Sequence, residues 1–230
     1  MESAALHRVP AAETAQESPE SLTERAYREL EEQIVTLQLP PGTIVSEGML
    51  SERLGIGRTP IREALQRLAR ERLVVILPRR GIVVAEENVK TELRLLELRR
   101  EVERLLSRLA ARRATAEQRR RFTEIADGME AAAREEDDIL FMRLDRELNL
   151  LVIEAARNEF AAGTMSLMHG LSRRFWYIHY KQSADLPQAA RLHAEVARPI
   201  AAGDEEAAAR ASDRLIDYIE RFARATLSAD

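Results

Sequence analysis

The apolar positions of this chain follow two different organisations, one before and one after residue 85. Before it, residues 21–37 and 46–54 and a third segment that begins at Thr59 each repeat their apolar positions with the helical period. Two short β-branched runs follow, LVVILP at residues 73–78 and GIVVA at residues 81–85. Three helices and a two-stranded hairpin predict a winged helix-turn-helix.

Capping residues place the ends of these helices. Ser21 with Glu24 predicts a capping box at the first helix. Gly55 suits the left-handed position that ends the second helix. Thr59 is predicted as the N-cap of the third helix, with Pro60 in its first helical position, where a missing N–H costs nothing.

From residue 86 to the end the pattern is almost purely helical, beginning with LRLLELRREVERLLSRLAARRAT. Thr115 and Gln118 form a second predicted capping box, which opens a helix to about Ala133. Further helices are predicted over 137–156, 159–182, 187–202 and 204–227. Six helices can enclose a bundle interior, so the fold class is mainly α, a winged helix-turn-helix followed by an all-α bundle.

Composition excludes several classes of protein. The chain has no cysteine, so it has no disulfide or thiolate metal site, and 45% hydrophobic with 32% charged residues is an ordinary globular balance. It lacks a signal-peptide pattern and an apolar run of the ~18 residues that span a bilayer, which predicts a cytoplasmic protein without a membrane partner. Residues 1–20 lack periodicity and are predicted to be a disordered arm.

The charge is uneven. The net charge is −4, yet residues 46–81 carry eight arginines against four glutamates. A basic patch on an acidic chain is a local electrostatic feature, and it is typical of a surface that binds nucleic acid.

The third helix is predicted to carry this basic face outward. With its apolar residues packed inward, the 100° step per residue turns Arg62 and Gln66 outward, and Arg58 precedes the helix. Arginine matches the guanine O6 and N7 acceptors in the major groove, and Thr59 with the first-turn N–H groups suits a phosphate. Arg79 and Arg80 at the hairpin tip could reach an adjacent groove or backbone, with Gly81 beside them. The alternative is an ordinary solvated helix face.

The stretch PPGTIVSEGMLSERLGIGRTPIREALQRLARERLVVILPRRGIVV resembles the winged-helix domain of the GntR family of bacterial transcription regulators. The helical remainder resembles the FCD effector domain of its FadR-like branch, and the resemblance covers about residues 22–227. It implies that Arg58, Thr59 and Arg62 are the main DNA contacts, assisted by Ser51 and the Gly81 turn. The chain departs from the family at Gly57, which is commonly Ser or Thr, and at Gly48, which is basic in some members. Both departures imply a shifted operator preference or affinity.

The same resemblance implies a cavity in the helical domain, which in many FCD domains holds a divalent metal through an Asp, a His four residues later and two further His. Here the corresponding positions are Asp145, Asn149, His193 and Leu215, so two expected imidazoles are missing. Asp145, Asn149 and His193 could hold a weakly bound divalent cation. Alternatively, His193 is a packed, hydrogen-bonded cavity histidine, or Asp213 and Asp217 form a rearranged carboxylate site.

The cavity is expected to take a small organic acid. The resemblance places Arg99 at the pocket, and SRRFWYIHY adds Arg173, Arg174 and an aromatic wall. Guanidinium beside dry aromatic rings suits a carboxylate. Periodicity leaves open which of Arg173 and Arg174 faces inward. Alternatively, the aromatic side chains belong to the core and both arginines lie at the surface. The predicted effector contacts are Arg99, Asp145, Asn149, Arg173 and His193.

The sequence therefore predicts a dimeric, ligand-responsive regulator, with residues 21–85 binding a palindromic double-stranded operator and residues 86–230 binding effector and dimerising. A DNA-binding dimer without an effector remains open. A metal-dependent hydrolase is disfavoured, because four histidines and no HExxH, GxSxG or phosphate loop leave little catalytic chemistry.

Overall fold

A computed structural model describes residues 20–86, 88–183 and 185–226, with only the backbone of residues 181–183. The arm predicted over residues 1–20 lies outside the described residues, apart from Glu20.

The N-terminal elements form the expected winged helix-turn-helix. In chain order they are α1 (Leu22–Val35), β1 (Ile44–Val45), α2 (Glu47–Leu54), α3 (Arg58–Arg70), β2 (Val74–Leu77) and β3 (Gly81–Val84).

The wing has three strands among the described residues, where two were predicted. All pairs are antiparallel in the order β1-β3-β2, and Ile44 of β1 lies opposite Val83 of β3. A strand of two residues is too short to show an alternating pattern, so no periodic signal marked it.

The helix ends follow the predicted chemistry in part. The Ser21 hydroxyl accepts the Glu24 N–H, but the Glu24 carboxylate pairs with Arg67 of α3. The contacts of the described residues therefore include only the Ser21 half of the predicted capping box. The first helix ends at Val35, because Leu37 turns into the left-handed region with φ of 61°. Gly55 caps α2 in the left-handed conformation, as predicted.

The prediction of Thr59 as an N-cap was wrong. The N-cap of α3 is Gly57, the helix begins at Arg58, and the first intrahelical bond runs from Ile61 N–H to the Gly57 carbonyl at 3.3 Å. Pro60 is therefore the third helical residue, which costs nothing because no N–H of the first turn has a partner within the helix.

The C-terminal part is a six-helix bundle within the described residues: α4 (Val89–Arg113), α5 (Ala116–Glu135), α6 (Asp138–Ala156), α7 (Glu159–Ser183), α8 (Leu186–Ala202) and α9 (Glu205–Thr226). The capping box of Thr115 and Gln118 is complete, as predicted. Helix α5 packs on α8 and α6, and α4 packs on α9 and α6. Their buried faces enclose the main core.

The winged-helix core has buried residues from α1, α2, α3 and the sheet, and it continues onto α7. Leu171 of α7 packs against this core. One residue earlier, a Cβ at Gly170 would come within 2.6 Å of Leu73 Cδ1. Helix α7 therefore contacts both cores, and a glycine allows the close approach.

The described residues include no helix with the length and apolarity needed to cross a membrane.

We predict that two glycine-to-alanine changes on α7 act in opposite directions. Gly163 is exposed with nothing near its would-be Cβ, so Gly163→Ala should raise the free energy of unfolding by about 0.5–1 kcal/mol through helix propensity. Gly170→Ala gains the same propensity but must displace the fully buried Leu73, so its unfolding free energy should be lower than that of Gly163→Ala by about 1 kcal/mol or more. Urea denaturation of both variants measures this, and equal stabilisation would show that α7 does not press on the winged-helix core.

Candidate functional site

The outward face of α3 carries the basic residues predicted from the sequence. Arg58, Thr59, Arg62 and Gln66 are all exposed, while Ile61, Ala64, Leu65 and Leu68 are buried. Because Gly57 has no side chain to cap the helix, the first-turn N–H groups of Arg58 and Thr59 are available at the positive end of the helix dipole.

Arg62 is held by an acidic residue of the preceding helix. Its Nε and Nη2 donate to the two carboxylate oxygens of Glu47 at 2.8 and 2.7 Å. The hydrogen bond from Arg62 lowers the pKa of Glu47, which therefore stays ionised. The Arg62 side chain is 56% exposed, so this pair adds little to stability and mainly fixes where the guanidinium points.

The remaining residues predicted on α2 and α3 have different surroundings. A Cβ at Gly48 would lie 3.6 Å from Arg58 Nη2, so the Arg58 guanidinium lies beside this small residue. Ser51 donates its hydroxyl to the Ile56 carbonyl at 2.6 Å, and it thereby holds the turn between α2 and α3. Its role in the structure is this turn.

The wing tip is a tight turn with an unusual residue in it. Arg80 N–H donates to the Leu77 carbonyl at 3.0 Å, Pro78 occupies the second position, and Arg79 has φ of +64°. This is the pattern of a type II turn, whose third position normally takes Gly. The next residue, Gly81, has φ of +102° and would place a Cβ 3.1 Å from the Val45 carbonyl. Both Arg79 and Arg80 are exposed.

A cavity of about 60 Å³ lies inside the bundle. It is lined by all five residues predicted to contact the effector, together with residues that were not predicted. The lining includes Arg99, Asp145, Asn149, Arg173 and His193, and also Phe141, His169, Trp176, Tyr218 and Phe222. Aromatic rings form its apolar wall.

At one end of the cavity, Asp145, Asn149 and His193 bind one another. His193 Nε2 lies 3.0 Å from Asp145 Oδ1, and Asn149 Nδ2 donates to the same oxygen at 3.1 Å. His193 Nδ1 lies 2.7 Å from the Ala189 carbonyl. Since a carbonyl and a carboxylate both only accept, these two contacts require a proton on each ring nitrogen.

The protonation states of His193 and Asp145 follow from the contact between these two side chains. Burial favours neutral His193, but the hydrogen bond and charge of Asp145 outweigh it and raise the pKa of the imidazole. Burial likewise opposes ionised Asp145, and the bond to His193 nevertheless lowers the pKa of the carboxyl. The two form an imidazolium–carboxylate pair.

The residues present do not fit a divalent metal. The described residues contain no group of three or more His, Asp or Glu placed to hold one. His193 has no lone pair left to offer, Asn149 turns its amide nitrogen towards Asp145, and Leu215 lines an adjoining cavity of about 30 Å³ with an apolar side chain. Asp213 and Asp217 face Arg104 and Arg100 instead of this cluster.

Two arginines line the cavity, and each is already paired. Arg99 Nε donates to Glu103 on the same helix at 2.6 Å, with both side chains largely buried. Arg173 Nη1 donates to Glu31 of α1 at 2.6 Å, with side-chain exposures of 20% and 10%.

The Arg174 side chain contacts a different part of the protein. It is 1% exposed and donates to the Ala85 and Glu86 carbonyls at 2.9 and 3.4 Å, in the segment that joins the winged helix to α4. Arg173 is therefore the cavity residue, and the alternative in which both arginines lie at the surface was wrong.

The sequence reasoning missed His169. Burial lowers its pKa to about 4, so its imidazole is neutral at pH 7. It lies four residues before Arg173 on α7, and this spacing on one helix face could have found it. Glu31 gave no such signal, because its partner is 142 positions away.

Comparison with known proteins identifies both halves of the chain. The family model for "Bacterial regulatory proteins, gntR family" matches residues 22–84, and the FCD domain model matches residues 94–218. The HTH-type transcriptional repressor RspR of Escherichia coli K12 is 24% identical over 212 residues, which cover 92% of this chain and 93% of RspR. The Nta operon transcriptional regulator of Aminobacter aminovorans is 30% identical over 129 residues, which cover 54% and 59% of the two chains.

Solved structures share the fold. E. coli McbR/YncC superposes with a TM-score of 0.75 at 20% identity, over 90% of this chain and 99% of that one. A GntR regulator from Rhodococcus sp. RHA1 gives a TM-score of 0.66 at 22% identity, over 90% and 98%. The matched domains and relatives are those of transcription regulators and not of enzymes. The chain therefore belongs to the GntR family of bacterial regulatory proteins, as a transcription regulator with a C-terminal FCD domain.

Proposed function

We propose that this regulator is a homodimeric repressor whose operator affinity is controlled by a small carboxylic acid. Residues 21–85 bind a palindromic duplex in the cytoplasm, where two-fold symmetry of the protein matches that of the site. Residues 86–230 dimerise and hold the effector. The observation that carries the proposal is the pairing of an exposed basic α3 face with a buried arginine-lined cavity in one chain.

Arg62 is proposed to read a base, and Arg58 and Thr59 to bind phosphate. Glu47 fixes the direction of the Arg62 guanidinium, so little rotamer freedom is lost when it meets guanine O6 and N7. The first-turn N–H groups beside Arg58 and Thr59 suit a phosphate oxygen. Gln66 extends this face along the helix, while Ser51 supports it by fixing the turn.

The strained wing tip supports a DNA contact by Arg79, with Arg80 beside it. A non-glycine residue in the left-handed region costs about 1–2 kcal/mol, which glycine would avoid. Retaining an exposed arginine there is explained if its charge is needed on the nucleic-acid backbone or in a groove.

The cavity supports a small ligand that ends in a carboxylate, such as propionate. The aromatic wall takes the apolar part, and Arg99 and Arg173 supply charge-assisted donors, while both N–H groups of protonated His193 are engaged by Asp145 and the Ala189 carbonyl. Asp145 and Asn149 hold the imidazolium in place. No metal is required in this arrangement.

Replacing the base-reading arginine tests the DNA-binding function. Arg62→Ala should weaken binding to a duplex that the wild-type chain enriches from a random-sequence pool, by about 1–3 kcal/mol, and relax base preference at one position per half-site. Fluorescence anisotropy measures both, with Arg120→Ala, an exposed change on α5, as the control. An equal loss on enriched and random duplexes would leave Arg62 only a phosphate role.

Replacing Arg79 at the wing tip by glycine should lower DNA affinity without lowering stability. Arg79→Gly removes the left-handed strain, so its free energy of unfolding should be equal to or above that of the wild type, within about 1 kcal/mol. Its DNA affinity should fall, and the slope of the logarithm of the binding constant against the logarithm of salt concentration should become shallower by about one unit. Arg157→Gly is the matched control, because Arg157 is also an exposed left-handed arginine, with φ of 46°, but lies in the bundle. Unchanged affinity in Arg79→Gly would remove the wing tip from the interface.

The carboxylate site is tested with propionate and its neutral isostere propionamide. Titration calorimetry should show preferential binding of propionate to the wild type and at least a tenfold loss in Arg99→Ala, which removes a charge-assisted donor and leaves Glu103 unpaired. Arg108→Ala on the same helix, exposed and paired with Glu206, should bind normally. No preference for propionate in the wild type would favour a DNA-binding dimer that has no acid effector.

A further inference from the structure

The three cationic side chains of the cavity differ in where their acidic partners lie. Arg99 is neutralised by Glu103 of its own helix, and His193 by Asp145 of the same bundle. Arg173 is neutralised by Glu31, which belongs to α1 of the winged helix. Among these pairs, only that of Arg173 joins the cavity to the DNA-binding half.

The pair of Arg173 and Glu31 is built into the junction. Both side chains are mostly buried, where the Coulomb attraction is weakly screened, and their atoms are 2.6 Å apart. The Nε of Arg173 is buried without a hydrogen-bond partner within the part of the chain that the structure describes. The guanidinium thus has donor capacity left that its present partner does not use.

Helix α1, which carries Glu31, is in direct contact with α3. It packs directly on α3, and Tyr27 donates to Glu71 at 2.9 Å at the end of that helix. Arg67 of α3 donates to Glu24 of α1 at 3.0 Å and lies 3.5 Å above the Tyr27 ring. A displacement of α1 therefore displaces the helix that carries Arg62.

We propose that Glu31 is an internal competitor for the effector carboxylate, and that its release from Arg173 is the event that couples the cavity to DNA binding. This inference rests on the proposed carboxylate effector. A carboxylate entering the cavity offers Arg173 the same chemistry as Glu31, in a bidentate geometry through Nε and Nη2. Two carboxylates then share one guanidinium, and the repulsion between them weakens the bond from Nη1 to Glu31. Glu31 then loses its partner, and the junction between α1 and α7 loosens.

The rest of the junction limits what this release can do. Leu171 stays packed in the winged-helix core, and Arg174 stays bonded to the Ala85 and Glu86 carbonyls. The two halves therefore remain attached and change their relative orientation about these contacts. In a dimer such a change alters the spacing of two recognition helices, which is what a palindromic site reads.

The test uses Glu31→Gln in the full-length chain, with Glu32→Gln as the matched control. Glutamine keeps the side-chain length and can still accept a hydrogen bond from Arg173, but it removes the competing charge. Glu32 is the next residue of α1 and is exposed, so its change removes the same charge without touching the pair. Propionate affinity is measured by calorimetry, and affinity for the enriched duplex by anisotropy, with and without saturating propionate.

We expect Glu31→Gln to bind propionate at least about fivefold more tightly than the wild type, the lower end of ordinary allosteric coupling. Without propionate, its duplex affinity should equal that of the propionate-saturated wild type, and adding propionate should change it little. Glu32→Gln should behave as the wild type in both measurements.

Three other results would each refute a different step of the inference. Equal propionate affinity in Glu31→Gln and the wild type refutes competition while leaving the proposed function intact. Tighter propionate binding with wild-type duplex affinity refutes coupling through this pair. Failure of the wild type and Glu31→Gln to bind propionate refutes the carboxylate effector, and the inference fails with it.

Discussion

The structure depends on a single helix that packs into two cores. Helix α7 places Leu171 against the winged-helix core and Phe175 in the bundle, and between them Arg174, 1% exposed, donates to the carbonyls of Ala85 and Glu86. A buried guanidinium needs its acceptors, so the joining segment cannot move freely away from α7. This arrangement fixes the winged helix on the bundle.

Residues of the same helix also form part of the cavity lining. Because successive residues of α7 point about 100° apart, Ser172 reaches Glu92 of α4, Arg173 reaches both the cavity and Glu31, and Arg174 reaches the joining segment. The cavity beside this junction is therefore close to the DNA-binding half, without any long path between them. Of the charged side chains that line the cavity, Arg173 is the one paired with a residue of α1.

The sequence predicted the architecture well, for local reasons. Helical periods and turn residues such as Gly55 are encoded within a few neighbouring positions, and the structure confirms them. The two-residue β1 and the start of α3 escaped prediction, since a short strand has no period and Thr59 and Gly57 are both acceptable N-caps. The partnership of Arg173 with Glu31 and the choice between Arg173 and Arg174 depend on packing between distant segments, which local pattern does not contain.

The measurement that tests the central claim most directly is the affinity for propionate of the free chain and of the chain saturated with its enriched duplex. Linkage requires that duplex change propionate affinity by the same factor by which propionate changes duplex affinity. We expect both factors to be equal and at least about fivefold. Identical propionate affinity with and without duplex would show that the cavity and the DNA-binding surface are independent, and would contradict the account.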